Sequence, residues 1–368
     1  MKRLLHRGGT LLGQFDWWLV GSLIFLLAIG LVIQYSIDLN DNVANLSQFY
    51  KQVTFAVAGL CLFFFFSLVD RNIVKIHPVV AFGVSIFLLA SVLAFGASIQ
   101  GTKGWFVIGA VSVQPVEFVK LLLVVFMASY FSSDASRAKQ PRFLMATGAA
   151  TAIIIGLVLL QPDLGSALIL FCIWFGYVLV LRAPKWFSAS VILGTIAVSS
   201  FGWFFLFADY QKERLVTFIN PAADPLGAGY NVTQSIVAVG SGSFWGRGLG
   251  LGTQSQLHFL PEVASDFIFA VVAEELGYIG VIAVLAALGL LLFRLWLGMT
   301  RARDHFTFLL LLGTILYLAM QSFLVIGMNI GLLPVTGVPL PLISAGGTSI
   351  LMTLILLGIA HNGVASTR

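Results

Sequence analysis

Asp266 stands where a polar, proline-containing loop meets a long apolar run, with Glu274 and Glu275 further along that run. A carboxylate at the mouth of a membrane helix is costly to keep, so it is a candidate functional group by default. The alternative is a helix-capping acid that the helix dipole favours. Both interpretations stay open on this stretch alone.

A second pair of charges opens another apolar run, because Glu117 and Lys120 follow directly after Gln114 and Pro115. Pro115 suits a first helical turn, and residues three apart share a helix face. Charges at this depth must pair or face a wet cavity. The pair is therefore either an internal ion pair that fixes helix packing, or a source of positive charge for an anionic headgroup.

A third carboxylate, Asp163, lies in a very short turn between two apolar runs. It is placed to cap the following helix. It is equally placed to contact a metal ion or a ligand at the surface.

Two further stretches have unusual backbones. Gly240–Gly252 is rich in glycine and carries Arg247, which suits either a flexible loop or a backbone that approaches a phosphate. Pro334–Ser349 holds three prolines and several glycines within reach of the membrane. Such a segment predicts a re-entrant or broken structure, which is tolerated only when it is buried in protein or lines a cavity.

The composition explains where these residues must lie. The chain has 368 residues, of which 59% are hydrophobic and 10% are charged. Apolar runs of 18 or more residues recur, and each is long enough to cross about 30 Å of hydrocarbon. The fold class predicted is all-α and polytopic, as one integral membrane domain over 1–368. The net charge of +5 is not taken as a sign of nucleic-acid binding.

We predict ten membrane spans. Their predicted bounds are about 17–36, 50–69, 77–97, 115–132, 143–160, 164–182, 186–207, 266–293, 306–330 and 344–361. One long loop, 208–265, joins the seventh span to the eighth, and its first part, 209–219, is predicted as an amphipathic surface helix.

The distribution of Lys and Arg predicts the orientation. One side collects fourteen of these residues and the other six, which together are the 20 of the chain. The positive-inside rule then places both termini in the cytoplasm. Every unusual motif, the long loop included, falls on the outer side. Mixed charge beside an apolar wall suits an amphiphile with a polar or anionic headgroup.

The motifs, taken in order, resemble the SEDS family of bacterial cell-wall proteins, and within it the RodA type more than the FtsW type. The resemblance covers nearly the whole chain. It is carried by Gln114–Lys120, Gln161–Gly165, Asp224–Tyr230, Gly252–Glu262, Asp266–Ala270, Ala273–Gly277, Gly337–Pro341 and Ser344–Gly347.

The resemblance implies a peptidoglycan glycosyltransferase of the rod-shape, elongation type that polymerises lipid II at the outer face of the bacterial cytoplasmic membrane. It also implies a class B penicillin-binding protein and other elongation-complex membrane proteins as partners, and a divalent cation, Mg²⁺ or Mn²⁺, whose ligands stay unknown. The family's catalytic aspartate falls on Asp266, which would take the proton of the acceptor hydroxyl.

A lipid diphosphate leaving group needs nearby cations or a metal ion. Lys120 and Arg214 are the candidates for that role. The other candidate substrate contacts are Lys103, Gln114, Glu117, Asp163 and Ser344. The chain departs from the family pattern at Gly104, Ser112, Ala264, Ser265 and Ala345, and these departures bear on the headgroup contacts.

Two other classes of function stay open. A lipid II flippase or transporter predicts a continuous polar path with essential charges on both faces. A non-catalytic scaffold for a penicillin-binding protein predicts that Asp266→Ala is harmless.

Overall fold

The structure is a computed structural model. It describes residues 15–39, 46–99, 101–109, 111–133, 140–205, 209–220, 224, 227–257 and 259–365. The predicted contacts named above all lie within these ranges.

Ten apolar helices form the body of the protein. Within the described ranges, nine are long and apolar enough to cross a membrane and a tenth, α7, is slightly shorter. The predicted polytopic all-α architecture is confirmed, with each helix within a few residues of its predicted span except for the longer C-terminal end of α12. They are α1 (Trp17–Leu39), α2 (Ser47–Leu68), α4 (Pro78–Phe95), α5 (Pro115–Ser132), α6 (Pro141–Leu159), α7 (Leu164–Val180), α8 (Lys185–Phe205), α12 (Ile268–Thr300), α13 (His305–Asn329) and α14 (Gly347–Ala365).

Shorter helices fill the connections. They are α3 (Arg71–Val74), α9 (Asp209–Ile219), α10 (Ala228–Ser241) and α11 (Thr253–Gln256). The helix predicted over 209–219 is α9. Three of these four helices belong to the long connection before α12, so that connection is largely helical where the structure describes it.

A small antiparallel sheet, which the sequence analysis did not predict, joins α4 to α5. Its strands are β1 (Ala97–Ile99), β2 (Thr102–Ile108) and β3 (Val111–Val113), in the order β1-β2-β3. Ala97 pairs with Trp105, and Phe106 pairs with Val113.

The helices pack around a centre made of α5, α13 and α14, which are the most buried of the membrane-length helices. Helix α14 lies against α2, α1 lies against α12, and α13 lies against α5. By contrast, α8 exposes most of its length. The centre therefore carries the packed core, and α8 is peripheral.

We call the end of the bundle at which α5, α7 and α12 begin the site end, and the other end the opposite end. At the site end, residues 330–346 connect α13 to α14 without helix. Val338, Leu340, Leu342 and Ile343 of this connection are buried. The predicted broken segment is confirmed, and it is buried in protein as irregular backbone at such a position must be.

Helix α12 is kinked at Gly277, where φ is 66° and ψ is −165°. Only glycine adopts this backbone conformation without strain. A Cβ at Gly277 would also lie 2.2 Å from the backbone nitrogen of Gly246. The kink separates a short first part, Ile268–Leu276, from a long second part.

Candidate active site

Asp266 lies in a tight turn immediately before α12. The carbonyl of Glu262 accepts hydrogen bonds from the backbone N–H groups of Ser265 at 3.2 Å and Asp266 at 3.1 Å. The N-cap residue of α12 is Phe267, and no side chain caps the helix. The capping interpretation of Asp266 is therefore wrong, and its carboxylate is available for another role.

The irregular segment between α13 and α14 holds this turn from one side. The Ser344 hydroxyl donates to the carbonyl of Ser265 and accepts from the N–H of Leu340 at 2.8 Å. The N–H of Ala345 donates to the carbonyl of Ala264 at 2.8 Å. Ser344 is buried. The structure thus gives it a positioning role, and a direct substrate contact by Ser344 stays a prediction.

Asn329, the last residue of α13, holds the turn from the other side. Its Nδ2 donates to the carbonyl of Asp266 at 2.9 Å and to that of Val325 at 2.8 Å. Its Oδ1 accepts from the N–H of Ala270 at 3.0 Å, and its side chain is fully buried. Asn329 was not among the predicted site residues. Its only signal is a lone amide inside an apolar helix, where a polar group must find partners.

The surroundings of Asp266 favour its protonated form. Burial raises the pKa of the Asp266 carboxyl from 3.8 to about 7, and Glu262 and Asp163 add to this effect. Arg214 and a hydrogen bond from Ser265 oppose it. A base with a pKa near the working pH is well matched to proton transfer.

The backbone of the irregular segment comes close to this carboxylate. Gly337 has a φ of 70°, and a Cβ there would lie 3.8 Å from Oδ2 of Asp266. Arg214 of α9 donates from Nη1 to the carbonyl of Val335 at 3.4 Å. The segment therefore brings a cation and an open backbone to the same side of Asp266.

Asp163 is the N-cap of α7, as one of its two interpretations predicted. Its Oδ1 accepts from the N–H of Ser166 at 2.9 Å, and its Oδ2 accepts from Nε2 of Gln114 at 3.3 Å. Burial raises its pKa, while the Ser166 N–H and Lys120 lower it. The cap is also part of the site, because Asp163 acts electrostatically on Asp266.

The Glu117–Lys120 pair lies deeper along α5. Nζ of Lys120 is 2.8 Å from Oε1 of Glu117 and 3.3 Å from Oε1 of Gln321. Gln321 in turn donates to the carbonyl of Pro339 at 2.8 Å. Both charged side chains are buried, so the internal ion pair is confirmed as a structural feature.

The direct contacts of Glu117 and Lys120 with a substrate stay a prediction. In the structure, Lys120 affects the site electrostatically, because it lowers the pKa of Asp163. In the described part of the chain, Oε2 of Glu117 is buried without a hydrogen-bond partner.

Lys103 is exposed on β2. The neighbouring Gly104 packs against Gln161, since a Cβ at Gly104 would lie 3.3 Å from its Oε1. Gln161 belongs to the same turn as Asp163. The sheet therefore brings the backbone beside Lys103 close to the turn that holds Asp163, and a contact of Lys103 with a substrate stays a prediction.

The glycine-rich stretch is a fixed loop. Arg247 N–H donates to the carbonyl of Glu274 at 2.9 Å, and Gly248 N–H donates to that of Glu275 at 3.0 Å. The Glu274 carboxylate accepts from the N–H groups of Gln254 and Ser255. These contacts favour an ordered backbone over the flexible loop that was one interpretation of this stretch.

The carboxylate of the next residue, Glu275, also accepts two hydrogen bonds. The donors are the Ser36 hydroxyl at 2.6 Å and Nε2 of Gln256 at 2.7 Å. The two adjacent glutamates therefore tie the loop both to α12 and to the end of α1.

The described side chains offer few ligands to the divalent cation that the family resemblance implies. Among the residues that the structure describes, no three His, Cys, Asp or Glu side chains converge as a metal-binding group. Mg²⁺ in phosphate-transferring sites is commonly held by one or two carboxylates plus substrate phosphates. Asp163 and Glu262, which act electrostatically on Asp266, carry carboxylate oxygens of that kind.

Taken together, the site offers a base that is partly exposed, and two carboxylates and the cation Arg214 that act on it electrostatically. It lies at one end of a membrane-embedded bundle. This arrangement suits proton removal from a hydroxyl group and binding of an anionic headgroup.

Curated relatives match most of the chain. A "peptidoglycan glycosyltransferase MrdB" of Escherichia coli K12 is 42% identical over 281 residues, which cover 75% of this chain and 74% of the relative. A "probable peptidoglycan glycosyltransferase FtsW" of Xanthomonas oryzae is 32% identical over 367 residues, which cover 98% of this chain and 74% of the relative.

Solved structures match the fold. Rod shape determining protein RodA of Thermus thermophilus superposes with a TM-score of 0.70 at 29% identity, covering 95% of this chain and 96% of that one. A chain from a structure described as "structural coordination of polymerization and crosslinking by a peptidoglycan synthase complex" gives a TM-score of 0.77 at 31% identity, covering 94% and 96%.

The family model for the FtsW, RodA and SpoVE cell cycle proteins matches residues 17–368. That match includes every helix of the bundle and every residue of the site. The chain therefore belongs to the FtsW/RodA/SpoVE family.

Proposed function

We propose that this chain is a peptidoglycan glycosyltransferase that polymerises lipid II into glycan strands, with Asp266 as its general base. The observation that carries the proposal is Asp266 itself, a partly exposed carboxylate whose pKa is raised to about 7 at the site end of a membrane protein. The names of the curated relatives support the reaction class.

The reaction is a single displacement at the anomeric carbon of the donor sugar. Asp266 takes the proton from the acceptor hydroxyl, the hydroxyl oxygen forms the new glycosidic bond, and the bond from the anomeric carbon to the lipid diphosphate breaks. An α-linked donor then gives a β-linked product, by analogy with inverting glycosidases.

Cations at the site end have the charge that the leaving diphosphate requires. Arg214 and the exposed Lys103 are the proposed contacts with the diphosphate. Lys120, which lies deeper along α5, acts electrostatically on Asp163, and Asp163 acts in the same way on Asp266. A Mg²⁺ or Mn²⁺ ion held by Asp163 and Glu262 would supply further positive charge to that leaving group.

We further propose that the site end faces outward from the cytoplasmic membrane, as the Lys and Arg distribution predicts. The proposed partner is a class B penicillin-binding protein, supported by the similarity to a chain of a peptidoglycan synthase complex. A rod-shape role is supported by the 42% identity to MrdB and the likeness to RodA.

The test is polymerisation of purified lipid II by the chain with its class B partner. We expect long glycan strands from the wild type, and their loss both in Asp266→Asn and on adding a chelator. Full activity of Asp266→Asn would remove the base role from Asp266. A well-folded wild-type complex that makes no polymer would favour a scaffold or a flippase instead.

A further inference from the structure

One face of α12 has no cover from the rest of the described chain. Tyr278, Ile282, Leu285, Phe293 and Trp296 are each between 44% and 55% exposed. Their spacing of three, four and eight places them on one stripe of the helix. Gly289 continues the stripe, since a Cβ there would meet nothing within 4 Å. An apolar stripe on a membrane-length helix is a surface that faces the membrane interior.

The two ends of this stripe mark the two membrane interfaces. Tyr278 and Trp296 are 18 positions apart, which is about 27 Å along a helix. This is close to the ~30 Å hydrocarbon thickness, and Tyr and Trp concentrate at both interfaces. Tyr278 therefore lies at the interface level of the site end.

Residues at the opposite end independently support the placement of Trp296 at a membrane interface. Arg294, half a turn from Trp296, pairs with Asp16, whose Oδ2 accepts from Nε at 2.9 Å. Trp17 and Trp18, the next residues in the chain, are 54% and 67% exposed. Trp17 and Trp18 therefore lie at the same level along the bundle as Trp296.

The loop 242–252 is fixed at the level of Tyr278. The N–H of Tyr278 donates to the carbonyl of Ser243 at 3.0 Å, and the rings of Phe244 and Tyr278 are 6.0 Å apart. The backbone bonds to Glu274 and Glu275 fix the remainder of the loop. Its exposed side chains are therefore held in place by a rigid backbone.

Four of those exposed side chains are large and apolar. Phe244, Trp245, Leu249 and Leu251, which we call the loop ridge, are 55%, 78%, 51% and 67% exposed. Burying a large apolar side chain is worth roughly 1.5–3 kcal/mol, so four of them facing water is costly. Arg247, also exposed, adds a cation of the kind that sits among headgroups.

We propose that the loop ridge inserts into the lipid leaflet at the site end. The ridge continues the exposed apolar stripe of α12 through the contact of Phe244 with Tyr278, and it lies at the interface level. The occupant of this surface is the bilayer itself. Part of the long connection before α12 is then a membrane anchor, joined through Glu274 and Glu275 to the part of α12 that begins beside Asp266.

The test measures depth and does not depend on enzyme activity. Cys61 and Cys172 are replaced by serine, and a nitroxide is attached to Leu249→Cys or Leu251→Cys in nanodiscs of phosphatidylethanolamine and phosphatidylglycerol. Matched labels at Ile282→Cys and Lys103→Cys define the lipid and water limits. Power saturation then compares collisions with oxygen and with nickel ethylenediamine diacetate.

We expect both ridge labels to favour oxygen as Ile282 does and to lose the nickel accessibility that Lys103 keeps. Nickel accessibility equal to that of Lys103 would overturn the proposal. Shielding from both reagents would also overturn it, because the ridge would then be covered by protein. As a check with the native side chain, Trp245→Phe should remove part of the fluorescence that lipids brominated near the headgroup quench.

Discussion

Asp266 combines two properties at one residue, because it is partly exposed to a ligand and yet in surroundings that disfavour its charge. Burial is the main cause of its raised pKa, with Glu262 as the second. A base must be deprotonated to act. The chemistry of the site is therefore tied to pH near neutrality, unlike that of an ordinary aspartate.

The first prediction concerns the pH dependence of the rate. We expect polymerisation to fall about tenfold per pH unit below pH 7, because only the deprotonated fraction of Asp266 accepts the proton. The measurement is the initial rate of polymerisation between pH 5 and 9. The length of the glycan strands serves as a control for pH effects on release of the product. A flat profile down to pH 5 would show that another group is the base.

The second prediction concerns the stability of Asp266→Asn. The pKa in the folded state is about 7 and the ordinary value is 3.8. The folded state thus holds more protons than the unfolded state between about pH 4 and 7, and the stability of the wild type falls as pH rises through that window. The asparagine side chain of the variant does not ionise, so the variant does not lose stability in this way as pH rises.

The variant should therefore be more stable than the wild type by a few kcal/mol at pH 8, at about 1.4 kcal/mol per pKa unit. The gain should be least near pH 4 to 5. Thermal unfolding of both proteins in the same detergent measures it. An equal difference at both pH values would contradict the raised pKa.

The third prediction concerns Asn329 as a positioning residue. Asn329→Leu leaves the Asp266 carbonyl and the Ala270 N–H without this partner, at roughly 1–3 kcal/mol each. As the turn loosens, water reaches Asp266 and its pKa falls. We expect a lower maximal rate together with a half-maximal pH below that of the wild type.

The matched control for Asn329 is Ser322→Ala, on the same helix. Ser322 is buried, and its hydroxyl has no hydrogen-bond partner in the described part of the chain. This variant should keep the wild-type pH profile. A purely structural role of Asn329 would lower the rate and leave the half-maximal pH unchanged.

At the scale of elements, the helices and the broken segment before α14 were predictable, whereas the small sheet and the kink of α12 were not. Each span shows an apolar run of about the length that a bilayer requires, so its bounds follow from composition. The strands β1 to β3 are only three to seven residues long, so they give too little alternation to recognise.

The kink at Gly277 depends on tertiary contact, since the loop residues Phe244 and Gly246 occupy the space beside it. In the sequence, a glycine within an apolar run does not indicate that a distant loop packs against it. The contacts of Glu274 and Glu275 are invisible for the same reason, because their partners lie about 20 residues or more away in sequence.

The fourth prediction follows from that kink. Gly277→Ala places a Cβ 2.2 Å from the Gly246 nitrogen at a φ of 66°. We expect a loss of roughly 1–3 kcal/mol from the backbone strain alone. Gly289→Ala on the same helix is the control, because its Cβ meets open space, and it should stabilise by about 0.5–1 kcal/mol. Similar effects at both positions would contradict the kink.

At the scale of the molecule, the site is assembled from segments far apart in the chain. Asp266, Asp163, Gln114 and Ser344 come from four different connections. Their gathering at one end was predicted from the membrane topology, because each lies beside a span end on the same side. Which of them touch one another was not predictable, since burial at one residue depends on the packing of all the helices.

The fifth prediction tests the closure of the opposite end. Asp16 is fully buried and paired with Arg294 of α12, while its N–H donates to Nε2 of His361 of α14 at 3.0 Å. Arg294→Leu should cost about 3–5 kcal/mol by leaving a buried charge. Adding Asp16→Asn should recover part of that loss. Unfolding of the four proteins of this double-mutant cycle measures the coupling, and additive losses would show that the pair contributes nothing.

The kink at Gly277 has one more consequence, for depth. Glu275, just before the kink, bonds Ser36 near the end of α1. Gly30, six residues further from that end of α1, packs against the carbonyl of Ile343, and the neighbouring Ser344 holds the turn of Asp266. Because the chain bends at Gly277, the first part of α12 does not continue the line of the second part, and its turn is anchored deeper in the bundle than the end of α1. An acceptor hydroxyl must therefore enter the bundle to reach the base.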